Sequence, residues 1–391
     1  MESIGRRLER RWNTLRNDLR WIGRDLRGAK RPATVRRTGP SRYANARPPR
    51  AAVTPRPLTV EAVIRETPDA VTLRLVEASG APLAFEAGQF LTFHLDVDGR
   101  RLRRAYSLSS SPLDGPGAKI TVKRIEGGRG SAWMTTRAAG DTLMALGPSG
   151  SFVAGDAKDL VMIAGGSGIT PIASIAETLL RTRDDVSIRL IYGSRAAEDV
   201  IFRERLEALA STHDALSLEL ALEAPPEGWT GPAGRLDAHV LGPWLDGLGE
   251  GADRAYYLCG PEAMMDAARA LLLERGVDAE AILEERFRSP QDAPTAADLP
   301  SETVIARIRA NGRDTIAPVP PGQTLLEAGL AAGVAMPFSC AMGGCAACKC
   351  KLAEGEVAMD EPSCLTDAER EDGWVLACSA RPLGPVRVEV P

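Results

Sequence analysis

Near the start of the chain Leu8, Trp12, Leu15, Leu19, Ile22 and Leu26 recur at alternating intervals of four and three. That period lines one face of a helix, with Arg6, Arg7, Arg10, Arg16, Arg20, Arg24 and Arg27 mostly elsewhere. Gly28 and Pro32 end the pattern, so a basic amphipathic helix is expected over residues 1–29. Residues 30–57 are rich in Arg, Pro, Ala and Ser and have no period, which predicts an extended tether. Short β-type runs separated by Gly/Pro turns follow: 59–66, 70–77, 89–97, 102–110, 119–126 and 142–145. That spacing, with little helix between, predicts an antiparallel β-barrel over 58–155.

After Asp159 the rhythm changes to apolar strand, glycine turn, helix. Leu160-Val161-Met162-Ile163-Ala164 reads as a strand buried on both faces, and further strands are expected at 187–192, 217–222 and 255–259. This is the pattern of a doubly wound α/β domain over 156–288. Residues 289–301 form a Pro/Ala/Asp linker. Over 302–391, two β runs (303–308 and 314–319) precede Thr324-Leu325-Leu326-Glu327, a capping box for a helix ending near Gly333. A small α+β unit of β-grasp type, one sheet and one helix, fits this order. The fold class expected is therefore multidomain: antiparallel β-barrel, doubly wound α/β domain, and α+β β-grasp domain.

The 391 residues are 44% hydrophobic and 26% charged, the balance of a globular protein. No apolar run approaches membrane-span length, and no secretory h-region is present. Charge is uneven: residues 1–57 carry 16 Lys/Arg against 4 Asp/Glu, while the remainder is acidic. The first segment therefore has a separate task, either lying on an anionic membrane surface through residues 1–27 or packing on protein. Its acidic residues Glu2, Glu9, Asp18 and Asp25 argue against a mitochondrial transit peptide.

Four of the seven cysteines form a pattern: Cys340-x4-Cys345-x2-Cys348, then Cys378. That is the plant-type spacing for a [2Fe–2S] cluster held by four thiolates. Gly343 and Gly344 lie inside the x4 segment, where the loop passes close to the cluster. Zinc prefers two Cys-x2–4-Cys knuckles, and only one is present. Cys259, Cys350 and Cys364 suggest no disulfide framework, so a reducing compartment is expected.

Two further groups of residues carry chemistry. Arg104-Ala105-Tyr106-Ser107 closes a barrel strand, placing a guanidinium and a phenol ring on one face. Gly127-Gly128-Arg129-Gly130-Ser131 then opens a helix whose amides suit a pyrophosphate. In the α/β unit, Gly166-Ser167-Gly168-Ile169-Thr170-Pro171 follows the first strand and Cys259-Gly260-Pro261 ends a later one, so both are expected to face one crevice. Neither Gly147–Ser151 nor Gly165–Ile169 reads Gly-x-Ser-x-Gly, which removes the commonest hydrolase signal.

Taken in order, Arg104-x-Tyr106-Ser107, Gly128-x-x-Ser131, Gly166-x-Gly168-x-x-Pro171, Cys259-Gly260-Pro261, Glu285-x-Phe287 and the cysteine pattern resemble the ferredoxin–NADP reductase superfamily, specifically fused flavin reductases with a C-terminal [2Fe–2S] domain. The resemblance covers about residues 58–391. It implies an NAD(P)H oxidoreductase with FAD in the barrel, NAD(P)H in the α/β domain and a [2Fe–2S] cluster at the end; FMN-binding relatives share much of the pattern. It assigns FAD to Arg104, Tyr106, Ser107, Lys123, Gly128 and Ser131. Gly166, Gly168, Thr170, Pro171, Ser194, Arg195, Gly260 and Pro261 are assigned to the nucleotide. Ser107, Cys259 and Phe287 fall at the reacting rings, and Cys340, Cys345, Cys348 and Cys378 are the metal ligands. The strand ending at Gly193-Ser194-Arg195 lacks an acidic residue for the ribose hydroxyls, which leans toward NADPH.

The expected function is electron transfer to a separate acceptor, a membrane fatty acyl desaturase or a multicomponent monooxygenase. A redox-sensing protein and a direct reductase of a small substrate are the alternatives. The acidic run 354–372 could steer a basic acceptor. No nucleic-acid partner is expected, and the expected location is cytoplasmic, with a peripheral place at the inner face of the membrane if residues 1–27 bind lipid rather than protein.

Overall fold

A computed structural model describes residues 55–249, 254–287, 298–360 and 363–391. The expected amphipathic helix, and the tether up to residue 54, lie outside the described residues. Three large sheets, of six, five and five strands, follow one another along the described residues, and a two-stranded ribbon accompanies the last.

The first contains β1 (Arg56–Thr67), β2 (Ala70–Glu77), β3 (Phe90–Val97), β4 (Arg100–Ser107), β5 (Ala118–Lys123) and β6 (Thr142–Ser149), in the order β4-β3-β6-β1-β2-β5. All its pairings are antiparallel, and an isolated bridge between Leu108 and Ile120 brings the two edges together. Every second residue enters the core: Leu58 and Val60, Leu73 and Leu75, Leu91 and Phe93, Ile120 and Val122. Helix α1 (Arg129–Met134) follows β5. The fourth run ends at Ser107, not at Ser110 as its β pattern suggests. The carbonyls of Ser109 and Ser110 are taken instead by Arg205 Nη1 (2.9 Å) and Ser174 Oγ (2.6 Å) of the next domain.

The second sheet is wholly parallel: β7 (Asp159–Gly165), β8 (Ser187–Ser194), β9 (Leu216–Leu222), β10 (Arg254–Cys259) and β11 (Ile282–Glu285), ordered β11-β10-β7-β8-β9. Leu160, Met162 and Ala164 of β7 join one core with α2 (Ile169–Thr182) and α3 (Arg203–Thr212). Val161 and Ile163 join another with α4 (Ala238–Asp246) and α5 (Glu262–Glu274). Helices on both faces explain the unbroken apolar run. Strand β11 is not among the strands expected from the pattern, because Ile282-Leu283-Glu284-Glu285 is short and half acidic; pairing with β10 makes it a strand.

The third sheet is mixed and ordered β13-β12-β18-β14-β16, from β12 (Val304–Ala310), β13 (Arg313–Val319), β14 (Lys349–Glu354), β16 (Trp374–Leu376) and β18 (Val386–Glu389). Strands β12 and β18 run parallel. Helix α6 (Leu325–Ala331) packs Leu325, Leu326 and Ala328 beneath this sheet. Both reciprocal bonds of the Thr324/Glu327 capping box form. A two-stranded β15 (Val357–Ala358) and β17 (Arg381–Pro382) ribbon and helix α7 (Asp367–Glu371) complete the unit.

Candidate functional site

Because side chains alternate along β4, Arg104 and Tyr106 share one face and Arg103 and Ala105 the other. Arg104 lies across the turn that opens α1: a Cβ on Gly130 would stand 2.8 Å from Arg104 Cγ. Its Nη1 donates to the Arg103 carbonyl (2.7 Å), and among the described residues no carboxylate pairs with it. Burial pulls its pKa down, with Tyr106 opposing, so this desolvated cation over a glycine turn suits an anionic group. Ser131 Oγ accepts from Ile125 N (3.1 Å) and donates to Gly128 O (3.0 Å), so this hydroxyl shapes the turn from within. The Tyr106 ring sits 6.0 Å from Phe93, tilted by 52°, and burial pushes its phenol pKa up. Lys123 Nζ lies 3.7 Å from Asp69.

In the parallel sheet, chain order reverses between β7 and β10, where a crevice opens beyond the carboxyl ends of strands. The structure brings the two expected turns together there. A Cβ on Gly168 would stand 2.0 Å from the Cys259 carbonyl oxygen, and one on Gly260 2.9 Å from Gly165 N. Thr170 Oγ1 donates to Ser167 O (2.9 Å), and Pro171 lies in the first turn of α2. Pro261 precedes α5. At the end of β8 the buried Ser194 hydroxyl has no hydrogen-bond partner among the described residues. Arg195 is committed elsewhere: its Nη2 contacts Asp69 Oδ2 (2.7 Å) and Asp199 Oδ1 (2.9 Å). Both carboxylates engage the same Nη2 of this mostly exposed side chain and compete with a phosphate for its charge.

Between these two groups lies a residue to which the sequence pattern assigns no role. Ser107 Oγ donates to Glu285 Oε2 (3.2 Å), and Glu285 is paired in register with Cys259. Burial raises the Glu285 carboxyl to about 8, against a smaller lowering by Ser107. The fully buried Cys259 thiol is pushed up by burial and by Glu285. Glu285 stands in the quoted Glu285-x-Phe287 motif, but a lone glutamate reads as a solvated charge until the fold half-buries it against Ser107. Phe287 is exposed.

The four patterned cysteines converge. Cys340, Cys348 and Cys378 are buried and Cys345 is exposed. Hydrogen bonds from Cys345 and Cys378 pull the Cys340 thiol down, and Cys378 bonds also to Cys348. Backbone amides point at the sulfurs: Gly343 N to Cys378 Sγ (3.1 Å), Gly344 N to Cys340 Sγ (3.3 Å) and Cys340 N to Cys345 Sγ (3.3 Å). Gly343 has φ +84, which permits that approach. Four thiols ringed by amide donors fit an anionic cluster. Nearby, Glu354, Asp360, Glu369 and Asp372 of the acidic run each face a cation (Arg387, Arg381, Lys349 and Lys351), which reduces its net charge.

Comparison with known proteins places all three units. Residues 57–153 match an oxidoreductase FAD-binding domain, 162–270 an oxidoreductase NAD-binding domain, and 308–383 a 2Fe-2S iron-sulfur cluster binding domain. The chain belongs to the ferredoxin–NADP reductase superfamily, as a flavin reductase fused to a C-terminal [2Fe–2S] domain. It is 33% identical to the stachydrine N-demethylase reductase subunit of Rhizobium meliloti, over 83% of this chain and 93% of that protein. It is 36% identical to a component of the 1,2-phenylacetyl-CoA epoxidase of Escherichia coli, over 83% and 94%. Among solved structures, phthalate dioxygenase reductase aligns with a TM-score of 0.59 at 26% identity, over 87% of this chain and 99% of that one. The protein is thus an NAD(P)H oxidoreductase of ferredoxin-reductase type that uses FAD and a [2Fe–2S] cluster.

Proposed function

We propose that this chain is the reductase component of a multicomponent oxygenase, delivering electrons from NAD(P)H to a separate terminal oxygenase. The observation that carries the reading is the seat of the cysteine loop: it lies on the back of the strand bearing Arg104-x-Tyr106-Ser107, with Thr92 Oγ1 bonded to the Cys340 carbonyl. The relatives support it, since their names describe reductase components of a demethylase and of a 3-ketosteroid monooxygenase, and a component of an epoxidase. The desaturase reading rests on residues 1–27, outside the described residues, and gains nothing from these relatives. No described helix is long and apolar enough to cross a membrane.

When bound, the flavin supplies the conversion of a two-electron hydride into single electrons, which the cluster can accept. The chain's own residues bind, orient and exclude water. Arg104 and the α1 turn hold the phosphates, and Tyr106 offers its ring face. The Gly166–Pro171 and Cys259–Pro261 turns receive the nicotinamide end of the coenzyme. Glu285, half-buried with its carboxyl pushed up by desolvation, accepts from Ser107 Oγ and keeps that hydroxyl oriented between the two. The coenzyme lean toward NADPH finds Arg195 already paired, so NADH and NADPH are both candidates.

The test is reconstitution. The loaded protein should transfer electrons from NAD(P)H to cytochrome c and to a purified oxygenase component. A fully loaded protein that reduces ferricyanide but neither one-electron protein acceptor would overturn the proposal.

A further inference from the structure

The face of β4 that turns away from the flavin motif carries its own set of contacts. Arg103 Nη1 donates to the Ala341 carbonyl (3.1 Å), inside the cysteine loop, and its Nη2 forms an ion pair with Glu327. One strand over, buried Thr92 bonds to the Cys340 carbonyl (2.8 Å). Phe90, Cys340 and Met342 form a small apolar cluster against which Ala105 packs. Ala341 has φ +52, a conformation that costs an alanine free energy and persists when its surroundings hold it. Arg103 is one of those holds.

Glu327 uses both carboxylate oxygens. Oε2 accepts from Thr324 N (2.9 Å) and Thr324 Oγ1 (3.0 Å), closing the α6 capping box, while Oε1 takes Arg103. A single guanidinium therefore ties β4, the start of α6 and the cysteine loop together. Its neighbour Arg104 points the opposite way, toward the α1 turn. Exposed ion pairs contribute little, but this one is partly covered and its fork also bonds a backbone carbonyl, which fixes direction as well as distance.

We propose that Arg103, with Glu327, is a positioning residue for electron transfer: it sets the distance and orientation of the cysteine loop relative to the flavin-binding face of β4. The inference rests on the cofactor placement given above. With the cofactors bound, NAD(P)H would give up a hydride and leave as NAD(P)+, the two electrons would pass from flavin to cluster one at a time and on to the external acceptor, and the hydride's proton would go to solvent.

The test is stopped-flow reduction of the holoenzyme by NAD(P)H, following flavin and cluster absorbance separately. In Arg103→Ala, flavin reduction should keep the wild-type rate while cluster reduction falls roughly tenfold, the scale expected from a small misplacement of reacting groups. Arg103→Lys, which keeps the charge but loses the fork, should fall between. Glu327→Gln keeps a capping acceptor but loses the ion pair, so adding Arg103→Ala to it should cost less than in the wild type. A readout independent of turnover is deuterium uptake at residues 340–344, which should rise in Arg103→Ala. Wild-type cluster reduction in Arg103→Ala would overturn the proposal. So would equal slowing of both steps, which would make the contact merely structural. A wild-type protein whose flavin NAD(P)H does not reduce would instead overturn the cofactor placement beneath it.

Discussion

Ser107 Oγ donates to Glu285 Oε2 across 3.2 Å and 178 positions of sequence, joining the end of a flavin-sheet strand to the last strand of the nucleotide sheet. Glu285 titrates near 8 in the folded chain, above the 4.5 of an ordinary glutamate, because burial disfavours its charge. Below pH 4.5 it is protonated folded or unfolded, and its contribution to stability is fully present. As pH rises toward 8 the unfolded chain ionises first, and the contribution is lost. Between those limits the loss is at most about 1.4 kcal/mol per pH unit. Glu285→Gln should flatten that slope in melts of the flavin-free protein from pH 5 to 9; an unchanged slope would show that Glu285 does not carry it.

Gly130 is where Arg104 crosses the α1 turn. In Gly130→Ala the new Cβ would stand 2.8 Å from Arg104 Cγ and push the guanidinium off the turn. Losing one charge-assisted hydrogen bond costs about 1.5–3 kcal/mol, so FAD dissociation constants should rise roughly ten- to hundredfold, with Arg104→Ala at least as weak. Flavin fluorescence on dilution measures this directly. Unchanged affinity in both variants would remove Arg104 from the phosphate site.

Asp69 belongs to the flavin domain yet pairs with Arg195 at the nucleotide crevice. Freeing Arg195 from one of its two carboxylates makes it available to a 2′-phosphate. Asp69→Asn should therefore lower KM for NADPH relative to NADH, by about threefold to tenfold if one exposed ion pair and one repulsion are removed. A preference that does not move would place the 2′-position elsewhere.

Cys345 is the exposed member of the four thiols. Cys345→Ser should leave NAD(P)H-dependent ferricyanide reduction intact and cut cytochrome c reduction by about two orders of magnitude, given how steeply metal-site changes act. Equal loss of both activities would mean that the cluster supports the flavin domain rather than relaying its electrons.

Local patterns told most about what contiguous residues do together. The apolar run at Leu160–Ala164 states that its strand is buried on both faces. Thr324 and Glu327 name their own cap, and the Cys340–Cys348 spacing names its cluster type. Glu285 was unreadable because its meaning comes from burial beside Ser107 and Cys259, contacts that the fold supplies from distant parts of the chain. Arg195 was legible as a cation near a phosphate site, but not as one already held by Asp69 and Asp199.

Arg103 and Arg104 show the same division within two residues. The sequence by itself determined that they point to opposite faces of a strand, because side chains alternate whatever surrounds them. The Cys340–Cys348 spacing likewise names the cluster type, because ligand spacing is short-range, whereas the binding turns leave FAD against FMN and NADH against NADPH open. Only the tertiary structure decided what the second face meets. The cysteine loop lies more than two hundred positions further along the chain, and its seat on β3 and β4 follows from how the third domain packs on the first.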